Sequence, residues 1–197
     1  GFKLFAVSGH VVRPGIYEAP LGITMRALLE HAGGVRDGGK VKFWLPGGSS
    51  VPMLTADLLD TPMTYEDIAA TGSMLGTGTP MVFDETTSVV RAVAGWLAFY
   101  KHESCGKCTP CREGTYWLSD VLHRLENGQG TEADLDTMAE VCAQIAGRSF
   151  CPLGDAAATP YPAALKHFRG EFVQATTVPA DVTFSPLAST VFAGSPA

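Results

Sequence analysis

The sequence predicts an α+β chain, a small strand-rich unit followed by a four-helix bundle, and three observations carry that prediction. Short β-like runs separated by glycines occupy the chain to about Phe83. From Ser88 the apolar residues recur at helical spacing instead. The C-terminal stretch, clearest from Val178 to Ala197, is rich in Pro, Ser, Thr and Ala and reads as an extended tail. The expected boundaries are residues 1–85, 86–172 and 173–197.

In the first unit, Leu4–Val7 and then Val11-Val12 read as strand. Pro14-Gly15 suits the centre of a type II turn, and Ile16-Tyr17 resumes a strand, so the opening is predicted as a hairpin. Thr24 can cap a short helix to His31 that turns Leu28 and Leu29 inward and stops at Gly33. Val41–Leu45 and Val51–Leu54 are further strands around Pro46-Gly47-Gly48, and Pro80–Phe83 is another. Several strands with one or two short helices make a small α+β layer.

In the second unit, Val89, Val93, Trp96 and Tyr100 form one apolar stripe. A second helix begins with Thr109 as N-cap and Pro110 at its first position, carries Trp117, Val121, Leu122 and Leu125 inward, and ends at Asn127-Gly128. The third opens with the capping-box pattern Thr131-Glu132-Ala133-Asp134 and packs Leu135, Met138, Cys142 and Ile145. The fourth is broken by Pro160 and Pro162 and runs through Ala163, Leu165 and Phe168 to Gly170. Short connections between such helices predict a bundle.

Composition narrows the function. Hydrophobic residues make up 46% and charged residues 17% of the 197 residues, as a packed core requires. A net charge of −6 with no basic stripe argues against nucleic acid. No apolar run reaches the roughly 20 residues that span a bilayer, so no direct membrane span is expected. The N-terminus, Gly1-Phe2-Lys3-Leu4, carries neither initiator Met nor targeting signal and reads as the interior of a longer chain.

Of the five cysteines, Cys105, Cys108 and Cys111 fall within seven residues, a clustering that suits a metal site in a reducing compartment better than disulfides. Three thiolates, each two residues from the next, can wrap three corners of an iron–sulfur cube, and Cys151-Pro152 supplies the fourth. Gly106 allows close approach of backbone to inorganic sulfide. The start of the following helix points its positive end at a negatively charged cluster, and Lys107, Arg112 and Arg148 add cations that raise its potential. The plain alternative is a structural zinc held by the same four cysteines, although zinc more often takes two separated Cys-x-x-Cys pairs. Cys142 lies on an apolar face and reads as a core cysteine, and His102 as a solvated or supporting histidine. Gly72–Gly78 leads into a strand, lacks the dinucleotide fingerprint, and reads as turn glycines. No Ser/His/Asp or paired-carboxylate arrangement supports a hydrolase.

The run Glu103-Ser104-Cys105-Gly106-Lys107-Cys108-Thr109-Pro110-Cys111-Arg112-Glu113-Gly114 resembles the signature of the flavin-bearing, NADH-oxidising subunit of respiratory complex I. Phe150-Cys151-Pro152-Leu153-Gly154-Asp155 is similar to the segment carrying the fourth cluster ligand there. Ser8-Gly9-His10-Val11, Arg13-Pro14-Gly15, His31-Ala32-Gly33-Gly34 and Pro46-Gly47-Gly48 resemble that subunit's β-grasp module, of the soluble-ligand-binding type. Gly72–Gly78 resembles the segment before its helical domain.

The resemblance implies one 4Fe-4S cluster on Cys105, Cys108, Cys111 and Cys151, accepting electrons from FMN reduced by NADH. It also implies an N-terminal flavin and NADH domain not matched here, so this stretch alone is not expected to oxidise NADH. Neighbouring iron–sulfur subunits are the implied partners, on the cytoplasmic or mitochondrial-matrix face of the respiratory membrane. The diaphorase subunit of an NAD-reducing hydrogenase or formate dehydrogenase shares these motifs. Such relatives often append further cysteines, and none follows Cys151. A zinc-stapled interaction module is the reading from a different class.

Overall fold

The computed structural model describes residues 1–177, in two compact units that divide after Thr87. Of the tail expected over 173–197, residues 173–177 are the end of a helix, and the remainder lies outside the described residues.

The first unit is a five-stranded sheet ordered β2-β1-β5-β3-β4. Its strands are β1 (Phe2–Gly9), β2 (Gly15–Pro20), β3 (Val41–Leu45), β4 (Leu54–Thr55) and β5 (Met81–Asp84). The central pair β1 and β5 is parallel, and every other pairing is antiparallel. The opening hairpin is present, with Phe5 opposite Tyr17, but Gly15 does not make a type II turn. That turn needs a positive φ at its third position, and Gly15 instead starts β2 opposite Val7. Val11 makes an isolated bridge to Val35, and the strand expected over Val51–Leu54 shrinks to β4.

Helix α1 (Met25–His31) begins where Thr24 Oγ1 accepts from the Ala27 N–H at 3.2 Å. A second helix, α2 (Tyr65–Ala70), is capped in the same way by Thr64 and Asp67. One core joins Phe5, Val7, Met25, Leu28, Trp44 and Ile68, so the alternating residues of β1 and the inner face of α1 share it. The glycines of Gly72–Gly78 serve as turn residues, with positive φ at Gly72, Gly76 and Gly78.

Beside this core, His10 is 1% exposed and its Nδ1 lies 2.9 Å from Asp84 Oδ1. Burial alone would raise the Asp84 carboxyl, but hydrogen bonds from Thr86 and the adjacent His10 imidazole outweigh it and hold the carboxyl low. A depressed folded pKa stabilises the fold above the ordinary value of 3.8, and that stability is lost as pH falls through the folded value. Asp84→Asn is therefore expected to flatten the acid limb of a stability-against-pH curve measured by urea unfolding. An unchanged limb would show that Asp84 does not titrate differently on unfolding.

The second unit holds α3 (Val89–Glu103), α4 (Thr109–Glu126), α5 (Glu132–Ile145), α6 (Leu153–Ala158) and α7 (Pro160–Thr177). The described residues of this unit thus form five helices where four were expected. The stripe of α3 is buried as expected, and the capping box of α5 is formed, Thr131 and Asp134 each bonding the other's backbone N–H. On α4 the expectation fails for Trp117, which is 55% exposed. Its inward face opens with Cys111, Gly114 and Thr115, residues that do not read as apolar, and only then reaches Leu118, Leu122 and Leu125.

The prolines at 160 and 162 do not break a helix. They occupy the first turn of α7, where an N–H has no helical partner to lose. Helix α7 distorts at Phe168 (φ −131°, ψ 29°) yet continues past Gly170. Phe172 explains this, being fully buried edge-on to Tyr161 with ring centroids 5.4 Å apart. Burying a phenylalanine contributes about 1.5–3 kcal/mol, more than the roughly 1 kcal/mol that a helical glycine costs. The inward residues of α7 are accordingly Tyr161, Ala164, Phe172 and Ala175, not Leu165 and Phe168.

Candidate metal centre

Two loops of the helical unit meet at the predicted site. The first leaves α3 at Ser104, whose N–H still donates to Tyr100 O at 3.0 Å. It turns at Gly106, φ +76°, and enters α4 with the Arg112 N–H donating to Cys108 O at 2.9 Å. Arg112 clamps this loop from the helix side, its Nη1 donating to Gly106 O and its Nε to Glu113 Oε1, both at 2.7 Å. Glu113 therefore offsets much of the Arg112 charge, and the guanidinium acts here as a brace. Arg148 is likewise engaged, by Gln144.

The second loop, 146–152, joins α5 to α6. Its Gly147 N–H donates to Asp155 Oδ1 at 2.6 Å, tying the loop to the first turn of α6. The Phe150 N–H donates to Cys108 Sγ at 3.4 Å, so the residue before Cys151 touches the middle cysteine of the first loop. A cleft of about 480 Å³ lies between the loops, lined by Lys107, Cys108, Pro110, Arg148, Ser149 and Phe150. Beneath them α4 and α5 approach closely at Gly114, where a Cβ would come within 2.5 Å of Ile145 Cδ1. Gly114 thereby sets the height at which α4 presents Cys111.

The four predicted cysteines differ in exposure. Cys105 and Cys151 are exposed, Cys108 is half-buried and Cys111 is buried at the base of the site. Ser104 Oγ lies 3.4 Å from Cys111 Sγ, and Thr115 Oγ1 donates to Cys111 O at 2.8 Å. Cys142 sits apart in the core of the unit, 2% exposed, with its thiol pushed up to about 12 by burial. It stays protonated and behaves as a small apolar side chain. His102 is 85% exposed at its side chain and pairs with Glu103.

Among the described residues no three His, Cys, Asp or Glu side chains converge on a single ion. Tetrahedral zinc with bonds of about 2.3 Å would hold its sulfurs only about 3.8 Å apart, whereas a cubane gives each thiolate its own iron. The donor chemistry fits a cubane: thiols alone, a glycine with positive φ in the cysteine loop, a backbone N–H directed at one sulfur and a hydroxyl within hydrogen-bond distance of another. Ser149 Oγ is in addition buried without a hydrogen-bond partner inside the second loop, packed against Gly154 of α6. The positioning groups Ser104, Thr115 and Asp155 were not singled out in the sequence. The spacing of Asp155, four residues after Cys151 in the first turn of a helix, is the one local signal that pointed to its role.

Residues 91–175 match the family described as the NADH-ubiquinone oxidoreductase-F iron–sulfur binding region, and residues 4–54 match the SLBB domain. The F subunit of NADH-quinone oxidoreductase in Mycobacterium bovis is 60% identical over 173 residues, 88% of this chain and 39% of that protein. Its counterpart in Streptomyces coelicolor is 55% identical over 98% of this chain and 43% of its own length. The chain is a homologue of these NADH-quinone oxidoreductase F subunits. It spans about two-fifths of the length of these relatives. A solved NAD+-reducing [NiFe]-hydrogenase in the H2-reduced state also matches, with TM-score 0.80 and 32% identity, over 92% of this chain and 30% of that one. Identity nearly twice as high sets the oxidoreductase relatives ahead of the hydrogenase. The cofactor of the helical region is thus a 4Fe-4S cluster, as the matched iron–sulfur family requires.

Proposed function

We propose that Cys105, Cys108, Cys111 and Cys151 hold this cluster, and that the helical unit relays electrons from NADH-reduced FMN towards further clusters of an NADH:quinone oxidoreductase. The observation that carries the ligand set is the Phe150 N–H bond to Cys108 Sγ, which brings the fourth-cysteine loop onto the Cys-x-x-Cys-x-x-Cys loop. When bound, the cluster supplies reversible one-electron storage. The chain's own residues fix its setting. Cys111 and the α4–α5 contact at Gly114 keep one side dry, while Cys105 and Cys151 leave the other open to a partner. Two hydrogen bonds at the sulfurs favour the more negative, reduced state.

Within that reading, α3, α4, α5 and α7 form a four-helix bundle and α6 is a short connector. Support comes from the ring of contacts in which α3 packs on α4, α4 on α5, α5 on α7 and α7 on α3. The sheet unit is a β-grasp module of soluble-ligand-binding type, supported by its SLBB match and its mixed sheet with a parallel central pair. The whole protein is a peripheral subunit on the cytoplasmic or matrix face of a respiratory membrane. Among the described residues no helix is long and apolar enough to cross one. Its partners are a flavin and NADH domain and neighbouring iron–sulfur subunits.

Anaerobically purified full-length protein is expected to contain iron and acid-labile sulfide in equal amounts and no stoichiometric zinc. Zinc without iron or sulfide would replace electron transfer by a zinc-stapled interaction module. A diaphorase role in a hydrogenase would instead show as co-purification with a nickel-containing partner.

A further inference from the structure

Cys111 is the one buried corner of the proposed site, and the polar side chain that reaches its sulfur is Ser104. Ser104 lies between α3 and the cysteine loop, with φ −62° and ψ 121°, and its own N–H is spent on Tyr100 O. Its hydroxyl oxygen accepts from the Gly106 N–H at 3.4 Å. That bond occupies a lone pair and leaves the hydroxyl proton free for Cys111 Sγ, 3.4 Å away. A ligating thiolate can only accept, so the direction of the second bond is settled once Cys111 binds iron. Thr115, holding Cys111 O, keeps the backbone of the same cysteine in place.

We infer that Ser104 is a positioning residue that sets the reduction potential of the cluster, by donating its hydroxyl proton to the Cys111 thiolate. This rests on Cys111 being a cluster ligand. Adding an electron raises the negative charge on the thiolates, so a donor there strengthens on reduction and moves the midpoint potential positive. Low local polarity magnifies such a bond, and Cys111 is 6% exposed while Cys105 and Cys151 face solvent. The Phe150 N–H at Cys108 acts in the same sense.

The test uses the full-length subunit in its assembled complex, with potentiometric titration followed by low-temperature EPR. Ser104→Ala is expected to retain iron and sulfide and to shift the reduction equilibrium about tenfold towards the oxidised form, about 59 mV for a one-electron couple. Ser104→Thr, which keeps the hydroxyl, is expected to restore the midpoint. An Ala variant with the unmutated midpoint, or a Thr variant as low as Ala, would overturn the inference. A second measurement compares exchangeable deuterons. After exchange into deuterium oxide, the unmutated and Ser104→Thr complexes are expected to show a deuteron coupled to the reduced cluster that Ser104→Ala lacks, beside the Phe150 N–H deuteron common to all three, and identical couplings in all three would also overturn it. Cys111→Ser separates the two levels. An unaltered signal in that variant removes Cys111 from the ligand set, whereas an altered signal beside an unmoved Ser104→Ala midpoint removes only the role of Ser104.

Discussion

Cys151→Ser is expected to destroy the cubane or convert it to a cluster with altered low-temperature EPR, while Cys142→Ser leaves the spectrum unchanged. The two cysteines are nine residues apart, and the structure gives them opposite settings, Cys151 exposed and Cys142 buried. Cys151 lies in the loop that Asp155 fixes through Gly147 and that Phe150 joins to Cys108. Its thiol is exposed and open to iron on loading. Cys142 faces Met138 and Ile145 from the inner side of α5, and its thiol is pushed up to about 12, so it is neither available nor acidic. A hydroxyl in its place leaves a polar group in an apolar setting, at a cost of about 1–3 kcal/mol, which shows in unfolding rather than in the spectrum. An unchanged spectrum for Cys151→Ser, or loss of the cluster in Cys142→Ser with the fold intact, would mean that the ligand set is wrong.

That separation was already visible in the sequence, because Cys142 falls on an apolar stripe of helical period and Cys151 on none. The same reasoning worked for α1, α3 and α5, whose caps Thr24, Ser88 and Thr131 precede clean stripes. It failed where the inward face is made of residues chosen for something other than apolarity. On α4, Cys111, Gly114 and Thr115 face the core, where α5 approaches closely at Gly114 and Thr115 bonds Cys111 O, so the start of the inward face carries no apolar stripe and the apolar Trp117 is exposed. On α7, Pro160 and Gly170 look like stops, and only the long-range contact of Phe172 with Tyr161 shows why the helix runs on. The turn at Gly15 failed because β2 already begins there, opposite Val7, and the glycine with a positive φ lies at position 9 instead.

Gly9→Ala is expected to destabilise the sheet unit by at least about 3 kcal/mol, in the range reserved for backbone clashes in a core. Gly9 ends β1 at φ +88°, opposite Val82 of the parallel neighbour β5. A Cβ there would sit 2.1 Å from Val82 O and 2.8 Å from Val82 N, and neither atom can swing away as a side chain could. The flanking bonds hold them: the Ser8 N–H donates to Pro80 O at 3.0 Å and the His10 N–H to Val82 O at 2.8 Å. Relief of the clash would part the two central strands and uncover Phe5, Val7 and Val82. Gly34→Ala supplies the control, because Gly34 has φ +85° but nothing within 4 Å of a Cβ. It carries only the left-handed backbone cost of about 1–2 kcal/mol. Hydrogen exchange at the β1 and β5 amides, with urea unfolding of the full chain, reads both variants. Equal loss in the two would show that conformation alone, and not the approach of β5, demands glycine at position 9. A much larger loss in Gly9→Ala identifies the β1–β5 contact as the pairing on which the sheet unit depends, and ties the glycine of Ser8-Gly9-His10-Val11 to the backbone rather than to a ligand.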